Sequence, residues 1–288
     1  MHATFTELLG QAAAAGRATG AFTCYDSTQA AGVLDAAEDA GAGVILLVSP
    51  GSFRLRRGAD LLAAIRTLAD RSPVAACVQL DHVSDLEAVR AAFAAGAGAV
   101  MVDGSHLAWE DNIALTRAAV ELGQATGGEV ECELGGIAGD EDVAQAIAAG
   151  ALTEPAEAAQ FAQRTGAACL AVSIGNVHGH YRDAPALDFE RLAAVRSATP
   201  IPLSLHGASG LPAGQVRRAL SEGVVKVNVN TELRGRYLAA VGAGLDGWRA
   251  GSDVQSLATS VRQATAEAVG ETLALLGGSS KEGLTTPR

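Results

Sequence analysis

The sequence predicts an α/β protein, a single closed (β/α)8 TIM barrel of 288 residues carrying an extra C-terminal helix. Three observations point there. First, an alanine-rich helix, a glycine and a short apolar run recur as one phrase, in LDAAEDAGAGVILLVS, VRAAFAAGAGAVMVD, AAQFAQRTGAACLAVS and RALSEGVVKVNVN. Glycine at a helix end supplies a left-handed cap, and the β-branched run after it reads as a strand buried on both faces. Second, filling the intervals gives eight strand–helix units, which close into a barrel more naturally than they form an open doubly wound sheet. Third, the early junction YDSTQ lacks the GxGxxG fingerprint of a dinucleotide-binding fold.

Taken in order, the first strand falls near 20–25 (GAFTCY), and its helix near 27–41 ends at a glycine. GVILLVS at 43–49 is the second strand, followed by a helix near 59–71. The third strand, near 74–80, leads into Asp81-His82 and a helix near 84–96. A fourth strand near 99–102 precedes a long helix near 109–127, and a fifth spans about 129–134. After it comes a long junction, about 135–153, then a helix near 154–166. The sixth strand, near 168–174, is followed by a second long junction, 175–187, and a helix near 188–198. Junctions of that length in a compact barrel are usually functional. Strands near 201–206 and 223–228 and helices near 212–221 and 230–248 complete the ring. Residues 253–276 read as one more amphipathic helix, a candidate for packing on a partner subunit. Residues 1–288 are expected to form one domain, with a polar, disordered tail at about 277–288.

Composition narrows the function. Nearly half of the chain (49%) is hydrophobic, enough for a continuous core. A formal charge of −11 argues against nucleic-acid and anionic-membrane surfaces, since both require basic patches. The N-terminal stretch has no secretory pattern, and no apolar run reaches the ~18 residues of a membrane span. Cys24, Cys77, Cys132 and Cys169 are isolated within apolar segments, with no CxxC pair, and read as buried reduced thiols. A cytoplasmic location is therefore expected.

The chemistry gathers at strand ends. His82, His178 and His206 each close a strand-like run (ACVQLDH, LAVSIGNVHG, IPLSLHG), and a barrel collects such ends around one opening. Imidazoles from distant positions thereby converge on one metal, and three protein ligands with a vacant position suit a catalytic zinc. His106, in VDGSHL, competes for that role, but Asp103 and Ser105 beside it read as a hydrogen-bonded turn; His2 and His180 read as solvent-facing. In HGASG and NVNT the chain turns tightly, exposing backbone N–H groups beside the hydroxyls of Ser209 and Thr231. That is the usual phosphate seat of such barrels.

These motifs resemble the class II, metal-dependent ketose-bisphosphate aldolases. From about Gly20 to Arg236 the chain carries LDH, MVDGSHLAWEDNI, ECELG, GDED, GNVHGHY, LHGASG and KVNVNTELR in that family's order. The resemblance implies reversible cleavage of a phosphorylated ketose to dihydroxyacetone phosphate and an aldehyde through a zinc-stabilised enediolate. It assigns His82, His178 and His206 to zinc, with Glu133 joining the metal when substrate is absent. It gives Asp81 the proton exchange with the aldehyde oxygen, Glu141 the proton of dihydroxyacetone phosphate, and Asn228 the steadying of the enediolate. Gly179, Gly207, Ser209 and Thr231 fall on phosphate-binding positions, where a monovalent cation (Na+ or K+) commonly assists. Ser49 and Asn230 join the substrate contacts. Arg234 matches an arginine that grips the distal phosphate, often across a subunit boundary, so a homodimer or homotetramer is expected. Arg182 stands where many relatives carry lysine. Departures are Thr23 for an asparagine, Ala138 and Ala208 for glycines, and Val143 after GDED. Asn230 replaces the aspartate of fructose-bisphosphate enzymes and the alanine of tagatose-bisphosphate enzymes. With HGASG it also resembles the aldolases for 6-phospho-5-dehydro-2-deoxygluconate of inositol breakdown.

Three rival readings stand beside this one. Lys226, two residues before Asn228 and on the same strand face, is a candidate for Schiff-base chemistry. A noncatalytic metal- and phosphosugar-binding barrel would need the histidines but not Asp81, Glu141 or Asn228. A purely structural oligomer gives no reason for acids and histidines on one rim, and Asp140, Glu141 and Asp142 read more blandly as a solvated acidic loop.

Overall fold

The computed structural model describes residues 3–138, 146–147, 150–181 and 186–277. Its centre is a closed barrel of β1 (Thr19–Thr23), β2 (Val44–Val48), β3 (Ala76–Val83), β4 (Ala99–Val102), β5 (Glu129–Leu134), β7 (Cys169–Val172), β9 (Leu203–Leu205) and β10 (Val224–Val229). All neighbours pair in parallel, in the order β1-β10-β9-β7-β5-β4-β3-β2, and the β1–β2 ladder closes the ring. Two short strands stand apart as their own parallel pair: β6 (Ala146–Ile147) and β8 (His180–Tyr181). They tie together the two long junctions, which also meet at an Ala138–Val177 bridge.

The strand ends agree with the expected spans to within two residues, save at the C-terminal end of β3, which continues through Asp81 and His82 to Val83. Around the barrel run α2 (Ser27–Ala40), α4 (Gly58–Arg71), α5 (Leu86–Ala94), α6 (Trp109–Thr126), α7 (Pro155–Thr165), α8 (Phe189–Ala198), α9 (Ala213–Ser221) and α10 (Thr231–Gly251). The recurring glycine performs the expected job: Gly41 ends α2 at φ 61° and Gly166 ends α7 at φ 72°, left-handed positions where a Cβ is penalised.

Two apolar layers hold the barrel. One lies between strands and helices; the other fills the interior, with Ala21, Ile45, Leu47, Cys77, Ala99 and Cys169. The floor of the inner layer is a helix that the sequence reading did not anticipate, α1 (Phe5–Ala14), whose Phe5, Leu8 and Leu9 are buried against those residues. Each such side chain contributes about 1.5–3 kcal/mol by leaving water. Thr4 and Glu7 form a capping box, and Thr6 bonds Glu129 at the start of β5, so α1 plugs the end of the barrel opposite the site. A short α3 (Pro50–Arg54) was likewise unanticipated.

The last helix, α11 (Val254–Leu275), packs on α2 and α10 of its own chain. A Cβ at Gly32 would stand 2.5 Å from Arg262 O, and Arg262 pairs with Asp35. The expected partner-facing role thus gives way, for its buried side, to an intramolecular one. The polar tail lies outside the described residues except for Gly277. Among the described residues, no helix is long and apolar enough to cross a membrane. All four cysteines are free and buried, and burial pushes the Cys77 thiol up to about 12.

Candidate metal centre and active site

His82, Glu133, His178 and His206 come from the ends of β3 and β5, the junction after β7, and the end of β9. Their potential ligand atoms all lie within 4.8 Å of one another. His82 Nε2 and His206 Nδ1 are 3.0 Å apart, and the His82 ring centroid stands 4.8 Å from that of His178. Glu133 is 1% exposed; its Oε1 accepts from the Ile137 N–H at 3.1 Å, while Oε2 has no hydrogen-bond partner among the described residues. A buried carboxylate oxygen left unpaired is costly. Three imidazole nitrogens and one carboxylate oxygen converging beside that orphan form a donor set that fits zinc.

His82 reaches this cluster by a backbone irregularity. In a regular strand its side chain would oppose that of Asp81. Instead β3 shifts register against β4 between Leu80 and Val83, and His82 adopts φ 43°, a left-handed conformation rare for a non-glycine residue. Its Nδ1 is held 3.2 Å from Asp103 Oδ2, while Asp103 Oδ1 accepts from the N–H and hydroxyl of Ser105. The turn read as structural is therefore also the support of a candidate ligand. His106 in that turn is exposed and apart from the cluster.

Beneath the histidines the pleat points a second polar layer inward. Glu131, fully buried, accepts from His206 Nε2 (2.9 Å) and Ser204 Oγ (2.5 Å) on one oxygen. The other accepts from Gln79 Nε2 (2.7 Å) and Lys226 Nζ (2.8 Å). Burial acts to raise the Glu131 pKa, but Lys226 and His206 outweigh it and hold the carboxyl well below the usual range. Burial also holds His206 below its ordinary value, against the pull of Glu131, and so favours the neutral ring that a metal requires. Glu133 behaves oppositely: burial, reinforced by the charge of Asp103, raises it to about 7. Lys226 Nζ also donates to Asn228 Oδ1 at 2.6 Å, and Asn228 Nδ2 donates to Asp81 Oδ2 at 3.2 Å. Asp81 Oδ1 is buried with no hydrogen-bond partner among the described residues.

Beside this centre, Gly179, Gly207, Ser209, Asn230 and Thr231 line one small cavity with His178 and Asn228. Gly207 has φ 62°, and a Cβ there would stand 2.1 Å from Val177 O, so only glycine lets the β9 junction pass beneath the His178 segment. Tyr181 donates to Gly207 O at 2.9 Å. Helix α10 begins at this cavity with Asn230 as its N-cap, yet no side chain caps it; Asn230 Oδ1 instead accepts from the Tyr25 hydroxyl at 3.1 Å. A helix start of that kind offers backbone N–H groups to an anion.

Arg234, the next turn along, bonds Thr231 Oγ1 at 3.4 Å and lines a separate pocket with Tyr25 and Tyr237. Ser49 is 1% exposed and caps α3, accepting from the Ser52 N–H at 3.2 Å. Thr23 is buried in β1. Glu141, with Asp140, Asp142 and Val143, lies outside the described residues, as do Arg182, His2 and the side chain of His180. Sequence reasoning missed the inward layer of Gln79, Glu131 and Ser204 and gave Lys226 only a nucleophilic role. The available signal was polar side chains at alternate strand positions, Glu131-x-Glu133 and Lys226-x-Asn228.

Comparison with known proteins bears on this geometry. Residues 3–281 match the family model described as fructose-bisphosphate aldolase class-II. A curated relative from Bacillus subtilis (strain 168), named "Probable fructose-bisphosphate aldolase", is 37% identical over 233 residues, covering 80% of this chain and 81% of its own. The crystal structure of the YdjI aldolase from Escherichia coli K12 superposes with a TM-score of 0.86 at 32% identity, covering 98% of this chain and 99% of its own. A fructose-bisphosphate aldolase structure from Campylobacter jejuni shares the fold, with a TM-score of 0.79 at 21% identity over 96% of this chain and 95% of its own.

Proposed function

Since the chain belongs to the class II fructose-bisphosphate aldolase family and is an aldolase, a carbon–carbon lyase, we propose that its substrate is a phosphorylated ketose of the fructose-1,6-bisphosphate or tagatose-1,6-bisphosphate type. It is cleaved reversibly to dihydroxyacetone phosphate and an aldehyde. The observation that carries this reading is the convergence of His82, His178, His206 and Glu133 within 4.8 Å, beside a hydrogen-bonded Asp81–Asn228 pair. His82, His178 and His206 would hold zinc, with Glu133 as the exchangeable fourth donor. Zinc bound there supplies Lewis acidity that makes the carbon beside a ketone acidic.

The remaining chemistry belongs to side chains. Cleavage begins as a substrate hydroxyl gives its proton to Asp81, whose Oδ1 has no competing hydrogen bond among the described residues. The carbon–carbon bond breaks, the aldehyde departs, and the electron pair stays on the three-carbon fragment. Asn228 Nδ2 can donate a hydrogen bond to the oxygen that gains charge. Glu141 then returns a proton to carbon, and removes it in the synthetic direction. Gly179, Gly207, Ser209 and Thr231, at the uncapped start of α10, would seat the phosphate, with a monovalent cation assisting. Arg234 would grip the distal phosphate in a homodimer or homotetramer.

Asn230 bonds Tyr25 at the edge of this cavity, so acceptor selection rests with that pair. This observation keeps a second substrate, 6-phospho-5-dehydro-2-deoxygluconate, in view. Lys226 is committed to Glu131 and Asn228, which disfavours a Schiff base. Zinc-loaded protein should exchange the C3 proton of dihydroxyacetone phosphate with deuterated water, and exchange should vanish in Glu141→Ala. It should also cleave at least one of fructose, tagatose or sorbose bisphosphate or the dehydrodeoxygluconate phosphate. Absence of both activities would support the noncatalytic binding barrel instead.

A further inference from the structure

Directly beneath the histidines sits an ion pair sealed from water, Lys226 Nζ to Glu131 Oε2 at 2.8 Å, both side chains 0% exposed. Burying two charges is a poor route to stability, since apolar residues of similar volume often do as well or better. Their contacts indicate another use. Four donors surround Glu131: Gln79 and Lys226 on one oxygen, Ser204 and His206 on the other. Only a carboxylate accepts on both sides. His206 must then carry its proton on Nε2, which leaves the Nδ1 lone pair directed at the cluster, 3.0 Å from His82 Nε2. An ammonium has donors only, so Lys226 draws the oxygen of Asn228 toward itself and turns the amide N–H groups toward Asp81.

We propose that Glu131 and Lys226 are positioning residues acting as one clamp. Glu131 fixes which nitrogen His206 offers the metal, and Lys226 fixes which face of the Asn228 amide meets the reacting atoms. The second half rests on the aldolase reading above; the first needs only a metal.

The two halves separate experimentally. In Glu131→Gln the amide cannot accept from all four donors. Its oxygen goes to Lys226 and its N–H to His206 Nε2, forcing the proton onto Nδ1. Cobalt(II) affinity, read from the visible spectrum of the chelator-stripped protein, should fall about 10–100-fold. Lys226→Met should keep cobalt affinity close to wild type. It should slow turnover of proton exchange in dihydroxyacetone phosphate by roughly 10²–10³-fold, as should Asn228→Ala. Because Lys226 acts through Asn228, the double variant Lys226→Met/Asn228→Ala should be no slower than Asn228→Ala alone. Unchanged cobalt affinity in Glu131→Gln, or multiplying losses in the double variant, would overturn the clamp. A wild-type protein that binds cobalt but neither exchanges nor cleaves would sink the aldolase reading while leaving the Glu131 half to be judged by affinity. Should Lys226→Met fail to fold, Glu131→Met/Lys226→Met removes both charges together. Loss of both affinity and exchange there supports the proposal, and retention of either contradicts it.

Discussion

Replacing His82 by glycine and by alanine tests whether strain aims this residue at the metal centre. His82 sits at φ 43° where β3 slips against β4. Both variants lose the imidazole and its contacts with Asp103 and His206, so they differ by one methyl group. In an ordinary strand alanine is the more stable of the two by about 0.5–1 kcal/mol, because glycine loses more chain entropy on folding. At a left-handed position the Cβ costs about 1–2 kcal/mol, which reverses the order. His82→Gly should therefore exceed His82→Ala by about 0.5–1 kcal/mol. Urea unfolding of the metal-free proteins at a common slope reads this difference directly. An alanine variant as stable as the glycine variant, or more so, would refute the strained bulge and with it the account of how His82 enters the cluster.

Other substitutions probe neighbouring parts. Gly207→Ala drives a Cβ against Val177 O, so it should cost more than about 2 kcal/mol in urea unfolding and weaken zinc binding through His178; a cost under about 0.5 kcal/mol would contradict the close passage. Burial, then the charge of Asp103, lifts Glu133 from 4.5 to about 7. Between those values the metal-free folded state binds more protons than the unfolded one. This contribution is fully present below about pH 4.5 and is lost as pH rises through 7, amounting to about 3 kcal/mol. Metal-free Glu133→Gln should then be the more stable protein near pH 8, with the gap closing toward about pH 4.5; parallel stability curves would remove the argument. Asp81→Asn should lower kcat by roughly 10²–10⁴-fold while zinc affinity holds, checked by steady-state cleavage and metal titration.

The barrel was legible because four of its repeats announce themselves twice, by a glycine after the helix and by a run that only a doubly buried strand explains, whereas α4 and α8 end at Ser72 and Thr199 without that glycine. The three histidines were legible because strand ends in a barrel share one mouth. Other features were not, for physical reasons. Helix α1 precedes the first strand and so belongs to no strand–helix unit; its marks in the sequence were the Thr4-x-x-Glu7 capping box, the Leu8-Leu9 pair and the left-handed Gly16 before β1. The pleat would place His82 opposite Asp81, and nothing in LDHV announces the left-handed residue that turns it inward. Asp103 read as a turn because its bond to Ser105 is local, whereas its bond to His82 spans 21 residues. Lys226 stood in the sequence only as a rival nucleophile, because its ion-pair partner Glu131 lies 95 positions away in the chain.

Zinc titration of the chelator-stripped protein tests the central claim most directly, with cleavage followed alongside X-ray absorption at the metal edge. Activity should rise in step with zinc to one equivalent per chain, in a nitrogen- and oxygen-ligated sphere whose imidazole scattering diminishes in His178→Ala. Full activity without metal, or a bound zinc that shows no imidazole, would contradict it.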